Sequence, residues 1–201
     1  MDTIGIIDYS MGNLHSIKNA LNYVGAKTLI SGDPDELENC DAYILPGVGA
    51  FSKAMEILED CNLTYFIKRQ ALLKPILGIC LGMQLFFETG NEFMECDGLG
   101  LLKGVVRKIE IEQKVPHVGW NSIEKRRKSD LLRGIPDDTY FYFVHSYRAT
   151  EMDEEDLVAT TDYGLVIPSV VENGNVYATQ FHPEKSAEAG LKILENFIEL
   201  I

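Results

Sequence analysis

Cys80 stands in the run Gly78-Ile79-Cys80-Leu81-Gly82, directly after the short apolar segment Pro75–Ile79. That segment reads as a buried strand. Gly82–Phe87 has the composition of a helix, so the sequence predicts a cysteine on a sharp strand-to-helix turn. This is the G-x-nucleophile-x-G elbow with sulfur in place of a hydroxyl. The flanking glycines let backbones pass closely, and unpaired N–H groups at a helix start favour thiolate, the reactive form. A cysteine after an apolar strand is by itself most simply a small hydrophobe, so the chemistry requires a base from elsewhere in the chain.

Four histidines are available: His15, His117, His145 and His182. Pro183 pushes His182 away from helical geometry into an extended one. In extended backbone, residues two apart face the same side at ~6.6 Å between Cα atoms, which brings Glu184 within reach of the imidazole. Cys80, His182 and Glu184 then form a nucleophile, base and carboxylate, with His182 taking the thiol proton while Glu184 fixes its tautomer and steadies its charge. His15 reads as ordinary surface on the first helix.

The elements that must hold these residues follow from the periodicity. Thr3–Asp8 predicts a first strand. Ser10-Met11-Gly12-Asn13 supplies turn and cap chemistry before a helix carrying Leu14, Ile17, Leu21 and Val24 on one face. Lys27–Ser31 is a second strand, Asp33-Pro34-Asp35 a helical turn, and Asp41–Leu45 a third strand ending in Pro46-Gly47-Val48-Gly49. Helical patterns fill Phe51–Asp60 and Leu63–Leu73. This alternation predicts a parallel sheet wrapped on both sides.

From Gly98 onward strands crowd together: Val105–Ile111, Val118–Glu124, Thr139–Tyr147, Leu157–Thr161, Val166–Glu172 and Val176–Phe181. Glu172-Asn173-Gly174-Asn175 is a hairpin signal, and this half is expected to be mostly antiparallel. Ser186 is expected to cap a final helix with Leu191, Leu194, Phe197 and Ile198 at helical spacing. The fold class is therefore α/β: a single-domain open twisted mixed sheet over residues 1–201, parallel and helix-flanked first, with antiparallel additions in the C-terminal half. The charge runs Glu124–Lys128 and Glu151–Asp156 read as solvated loops.

The 201 residues can bury a sizeable core without covalent staples. Cys40, Cys61, Cys80 and Cys96 are scattered with no C-x-x-C pair, and Met1-Asp2-Thr3 runs straight into a strand, so a reduced, cytoplasmic protein without a signal peptide is expected. A formal charge of −13 repels phosphate backbones and anionic membranes, which argues against nucleic-acid and membrane partners. No apolar run approaches the ~20 residues of a bilayer span.

Gly78-Ile79-Cys80-Leu81-Gly82-Met83-Gln84 together with Gln180-Phe181-His182-Pro183-Glu184-Lys185-Ser186 resembles the triad (class I) glutamine amidotransferases. Three further segments, Pro46-Gly47-Val48-Gly49, Pro116-His117-Val118-Gly119-Trp120-Asn121 and Tyr142-Phe143-Val144-His145-Ser146-Tyr147, are most similar to the glutaminase subunits of imidazole glycerol phosphate synthases, although Val118 stands where methionine is expected. The likeness runs over essentially the whole chain and implies a flavodoxin-like sheet. It further implies hydrolysis of L-glutamine through a γ-glutamyl thioester on Cys80. The oxyanion would be held by the backbone N–H groups of Leu81 and Val48. Gly49, Gln84, Glu92, Ser146 and Tyr147 match positions that hold glutamine, with Glu92 meeting the α-ammonium.

The same resemblance implies a heterodimer with a (β/α)₈-barrel cyclase that receives the ammonia, with Trp120, Asn121, Tyr142 and Lys185 at the interface and tunnel mouth. No cofactor and no metal are implied. His117 and His145 are read as structural or interface residues. The competing readings are the glutaminase subunit of pyridoxal phosphate or anthranilate synthase, a stand-alone cysteine γ-glutamyl hydrolase, and a catalytically silent binding subunit.

Overall fold

The strands that carry the site are apolar on both faces because both faces are covered. In the computed structural model, which describes residues 2–92 and 95–201, the chain runs β1 (Thr3–Ile7), α1 (Leu14–Tyr23), β2 (Lys27–Ser31), α2 (Pro34–Leu37), β3 (Ala42–Leu45), α3 (Phe51–Asp60), α4 (Leu63–Ala71), β4 (Ile76–Ile79) and α5 (Leu81–Leu85). It continues through β5 (Phe87–Asn91), β6 (Glu95–Asp97), β7 (Leu102–Lys108), β8 (His117–Ser122), β9 (Glu124–Lys125), β10 (Tyr140–His145) and β11 (Tyr147–Thr150). The last elements are β12 (Leu157–Asp162), β13 (Val166–Asn173), β14 (Val176–Thr179) and α6 (Ala187–Ile198).

Eight strands form the main sheet in the order β2-β1-β3-β4-β14-β13-β12-β9. The first five run parallel and the rest antiparallel. Side chains alternate across the sheet. Ile4, Ile6, Ile44, Leu77 and Ile79 pack on α1 and α6 through Ile17, Leu21, Ile193, Leu194 and Phe197. Ile7, Tyr43, Leu45 and Ile76 face α3 and α4 through Ala54, Leu58, Phe66 and Ile67. A pair, β10-β8, and a four-stranded sheet, β11-β7-β5-β6, stand beside the main sheet.

Several expectations need correction. The helix after Cys80 is five residues long, Leu81–Leu85, and Phe87 already belongs to β5, where it pairs with Leu102. Phe86 and Phe87 are wholly buried, and that burial is served by turning into a strand rather than extending a helix. Strands β5 and β6 lack a strong alternating signal and were not anticipated. Strand β14 belongs to the hairpin with β13, as Glu172–Asn175 indicates, but its other edge runs parallel to β4. Ser186 stands at the start of α6 without capping it: its hydroxyl donates to the His182 carbonyl at 2.6 Å and accepts from Tyr142 N–H at 3.0 Å. Glu124–Lys128 is not purely loop, since Glu124 and Lys125 form the edge strand β9.

Candidate active site

Cys80 leaves β4 with φ 56° and ψ −107°, a left-handed geometry that is strained for any residue with a Cβ. Close packing imposes it. A Cβ on Gly82 would collide with the Leu45 carbonyl, and one on Gly78 would lie 2.6 Å from the Phe86 ring. Cys80 N–H still donates to Thr179 O at 2.8 Å, so the β4–β14 ladder holds the strained residue from one side while Gln84 N–H bonds the Cys80 carbonyl at 3.2 Å from the other. The sulfur is thereby lifted to the end of the sheet, and as the first helical residue Leu81 has no intrahelical acceptor for its N–H.

His182 arrives from the neighbouring strand. Its backbone is extended (φ −97°, ψ 99°), as Pro183 requires, but Pro183–Lys185 then forms a 3₁₀ turn. Glu184 therefore reaches the ring by that turn and not by extended spacing, with Oε1 at 2.8 Å from Nδ1. Both side chains are buried, 3% and 1% exposed. His182 Nε2 is buried and makes no hydrogen bond. Burial alone would lower the His182 pKa, but the adjacent Cys80 and Glu184 outweigh it and lift it to about 9. The Cys80 sulfur lies 3.7 Å from Val144 O and 3.8 Å from Gln180 Nε2. A carboxylate-oriented imidazole with one free nitrogen beside a cysteine elbow is the arrangement of nucleophilic acyl transfer.

The sulfur opens onto a cavity of about 310 Å³ lined by Val48, Gly49, Cys80, Leu81, Gln84, Glu92, Pro116, Val144, His145, Ser146 and Tyr147. All the residues matched to glutamine binding and to the oxyanion thus share one cavity. Glu92 Oε2 accepts from Phe51 N–H at 2.7 Å, which fixes this carboxylate at the start of α3, a helix whose N-cap residue Ala50 offers no side-chain acceptor. Val48 N–H points elsewhere. It donates to Met11 O at 3.3 Å, and Gly49 beside it has φ +108°. Tyr9 anchors the segment by donating to Pro46 O at 2.7 Å, and burial pushes its own pKa upward.

Of the residues matched to an interface, Trp120, Tyr142 and Lys185 lie together, and Asn121 does not. In the β8–β10 ladder Trp120 pairs with Tyr142 and Val118 with Val144, so these four share the outer face. Trp120 and Val118 are more than half exposed. Lys185 Nζ sits 6.0 Å from the Tyr142 ring centre. Asn121 faces the other way, donating to Asp162 O at 2.8 Å. The inner face holds His117 and His145, Nδ1 to Nε2 at 3.1 Å, with His117 stacked between Phe143 and Tyr163. Burial lowers both histidines to about 4. His15 is exposed, as expected.

A larger cleft, about 640 Å³, lies along Lys125–Arg133. Four of its five cations are paired, Lys125 with Asp137, Arg126 with Glu124, Arg127 with Glu172 and Arg133 with Glu199, and it contains no nucleophile beside a base. The smaller cavity is where chemistry can occur. Sequence reasoning assigned no role to Gln180 or Tyr9. Gln180 could have been found by the same spacing rule used for Glu184, because it stands two residues before His182 on extended chain. Among the described residues no group of histidine, cysteine or carboxylate side chains is arranged to hold a metal, and no helix is long and apolar enough to cross a membrane. All four cysteines are free thiols.

The model of the family described as glutamine amidotransferase class-I matches residues 5–200. The chain belongs to the class-I glutamine amidotransferases. Within that class it is similar to imidazole glycerol phosphate synthase subunit HisH of Bacillus cereus, 49% identical over 96% of this chain and 93% of that one. It is 47% identical to the HisH subunit of Bacillus anthracis over the same shares. A solved structure of PurLQS from Thermotoga maritima shares the fold, with a TM-score of 0.79 at 20% identity over 99% of both chains.

Proposed function

We propose that this chain is the glutaminase subunit of an imidazole glycerol phosphate synthase, with residues 1–201 acting as one amidotransferase domain. The observation that carries the reading is the buried Glu184–His182 pair, its free Nε2 set beside a cysteine in strained elbow geometry. The 49% identity to a HisH subunit supports the narrower assignment.

In this mechanism His182 takes the Cys80 proton and the sulfur attacks the side-chain amide carbon of glutamine. Negative charge builds on the amide oxygen and is met by Leu81 N–H. The protonated His182 then gives its proton to the leaving nitrogen, ammonia departs, and a γ-glutamyl thioester remains on Cys80. Water, activated by His182, releases glutamate. Glu92 would receive the α-ammonium. Gln84 spends its amide nitrogen on Tyr147 O and Gln180 Oε1, so its remaining oxygen can act only as an acceptor toward substrate.

Val48 N–H, the second oxyanion donor, would have to leave the Met11 carbonyl and turn toward the cavity. The resting oxyanion hole is then incomplete, and a partner signal completes it. Released ammonia would be protonated in open water, so it needs a shielded exit. The outer β8–β10 face starts at Val144, which lines the cavity, and continues to Trp120 and Tyr142. That exposed apolar face fits a partner, which we assign as a (β/α)₈-barrel cyclase converting phosphoribulosyl-formimino aminoimidazole carboxamide ribotide to imidazole glycerol phosphate. The free thiols fit a reducing, cytoplasmic setting.

The test is glutamine hydrolysis by the subunit alone, then with the cyclase, then with the cyclase and its nucleotide ligand. Turnover that rises at each addition is expected. Full turnover by the isolated subunit would instead favour a stand-alone hydrolase.

A further inference from the structure

The Tyr147 carbonyl can only accept hydrogen bonds, and it fixes the protons of a buried network ending on the nucleophile. His145 Nδ1 lies 2.8 Å from it and must carry the proton there. His145 Nε2 then presents a lone pair, so His117 Nδ1, at 3.1 Å, must donate to it. Asn121 Nδ2, 3.4 Å from His117 Nε2, can only donate there and keeps the His117 proton on Nδ1, so a further proton on His145 would set one N–H against another. Although His145 lines the glutamine cavity, it is thereby kept out of competition with His182 for the thiol proton.

The second bond to the same carbonyl comes from Gln84 Nε2 at 3.0 Å. That nitrogen also donates to Gln180 Oε1 at 3.0 Å, which exhausts its two hydrogens. Gln180 must therefore keep its oxygen toward Gln84 and its nitrogen toward Cys80, 3.8 Å from the sulfur. Turning this amide over would oppose two NH₂ groups and face oxygen to sulfur. Gln180 is fully buried and follows Thr179, the register partner of Ile79, so the sheet itself sets it beside Cys80.

We propose that Gln180 is a second donor to the Cys80 thiolate, acting with His182, and that Gln84, itself fixed by the Tyr147 carbonyl, holds the Gln180 amide in the one orientation that can do so. The proposal rests on the reading of Cys80 as the nucleophile. An N–H aimed at a buried thiolate is a charge-assisted bond that strengthens as the proton leaves, whereas the Val144 carbonyl, 3.7 Å from the sulfur, suits only the thiol. Gln180 thus biases the sulfur toward its reactive form without taking part in proton transfer.

The test replaces the donor with an apolar side chain of similar length, Gln180→Met. The pH dependence of Cys80 alkylation by iodoacetamide is read on the Cys80 peptide by mass, and glutamine turnover is measured in the complex with the cyclase. The midpoint of Cys80 alkylation should move up by about one pH unit and kcat should fall about tenfold, with KM changed by less than about threefold. An unchanged alkylation midpoint would overturn the proposal. Alkylation needs no turnover, so a wild-type complex that fails to hydrolyse glutamine would refute the assigned function while leaving this contact separately decided. Should Gln180→Met not fold, wild-type chain labelled with ¹⁵N in glutamine side chains decides the matter. One amide pair should titrate in step with Cys80 and lose that response in Cys80→Ala, and no such pair would contradict the proposal.

Discussion

Ile79 and Thr179, one hundred positions apart, are register partners in a parallel ladder. Parallel neighbours end at the same edge of a sheet, so the residues just beyond them, Cys80 on one strand and Gln180 to His182 on the other, meet there. This one pairing brings together the three residues proposed above as the triad. It also brings the cysteine elbow, a feature of the first half of the chain, to a base supplied near its end.

The raised His182 pKa gives a pH prediction. A protonated His182 supplies the proton that departing ammonia needs, so glutamine turnover should decline as the pH rises through about 9. Glu184 contributes to that elevation, hence Glu184→Gln should shift the alkaline limb to lower pH and reduce kcat by at least about tenfold. Initial rates across pH for both proteins check this, and coincident alkaline limbs would contradict it. The same elevation stabilises the fold fully below the unfolded value of 6.5 and loses that contribution as the pH rises through about 9.

Much of this was legible in the sequence. Strands of the parallel half fall within one residue of the expected bounds, and the strand Lys27–Ser31 and helix Phe51–Asp60 match to the residue. The glycine flanks indicate the sharp turn at Cys80, and the H-P-E run indicates the His182–Glu184 contact, although a 3₁₀ turn rather than extended spacing makes it. What failed depended on tertiary packing. Nothing local to Val176–Thr179 says that one edge of the strand pairs parallel with β4. Phe86 and Phe87 look helical until a second sheet is there to bury them. Ser186 has the chemistry of a helix cap, but the nearby Tyr142 N–H and His182 carbonyl take its hydroxyl.

Trp120 should carry much of the partner binding. It is the only tryptophan, is about half exposed, and meets Tyr142 edge-on with ring centres 6.2 Å apart. Truncating a central aromatic anchor typically costs about 2 kcal/mol, or roughly thirtyfold in Kd. Calorimetric titration of Trp120→Ala with the cyclase should show that weakening while the subunit keeps its melting temperature. Wild-type affinity would place the interface on another face.

The central claim is that the Cys80 sulfur, ionised by His182, carries the acyl group. The direct test is rapid acid quench of the complex during turnover, followed by mass measurement of the cysteine peptides. A γ-glutamyl adduct on the Cys80 peptide is expected in the wild type and absent from His182→Ala. Cys80→Ala should lose glutamine-dependent synthesis by about 10⁴-fold or more while keeping ammonia-dependent synthesis. An adduct on another cysteine, or undiminished glutamine-dependent synthesis by Cys80→Ala, would contradict the account.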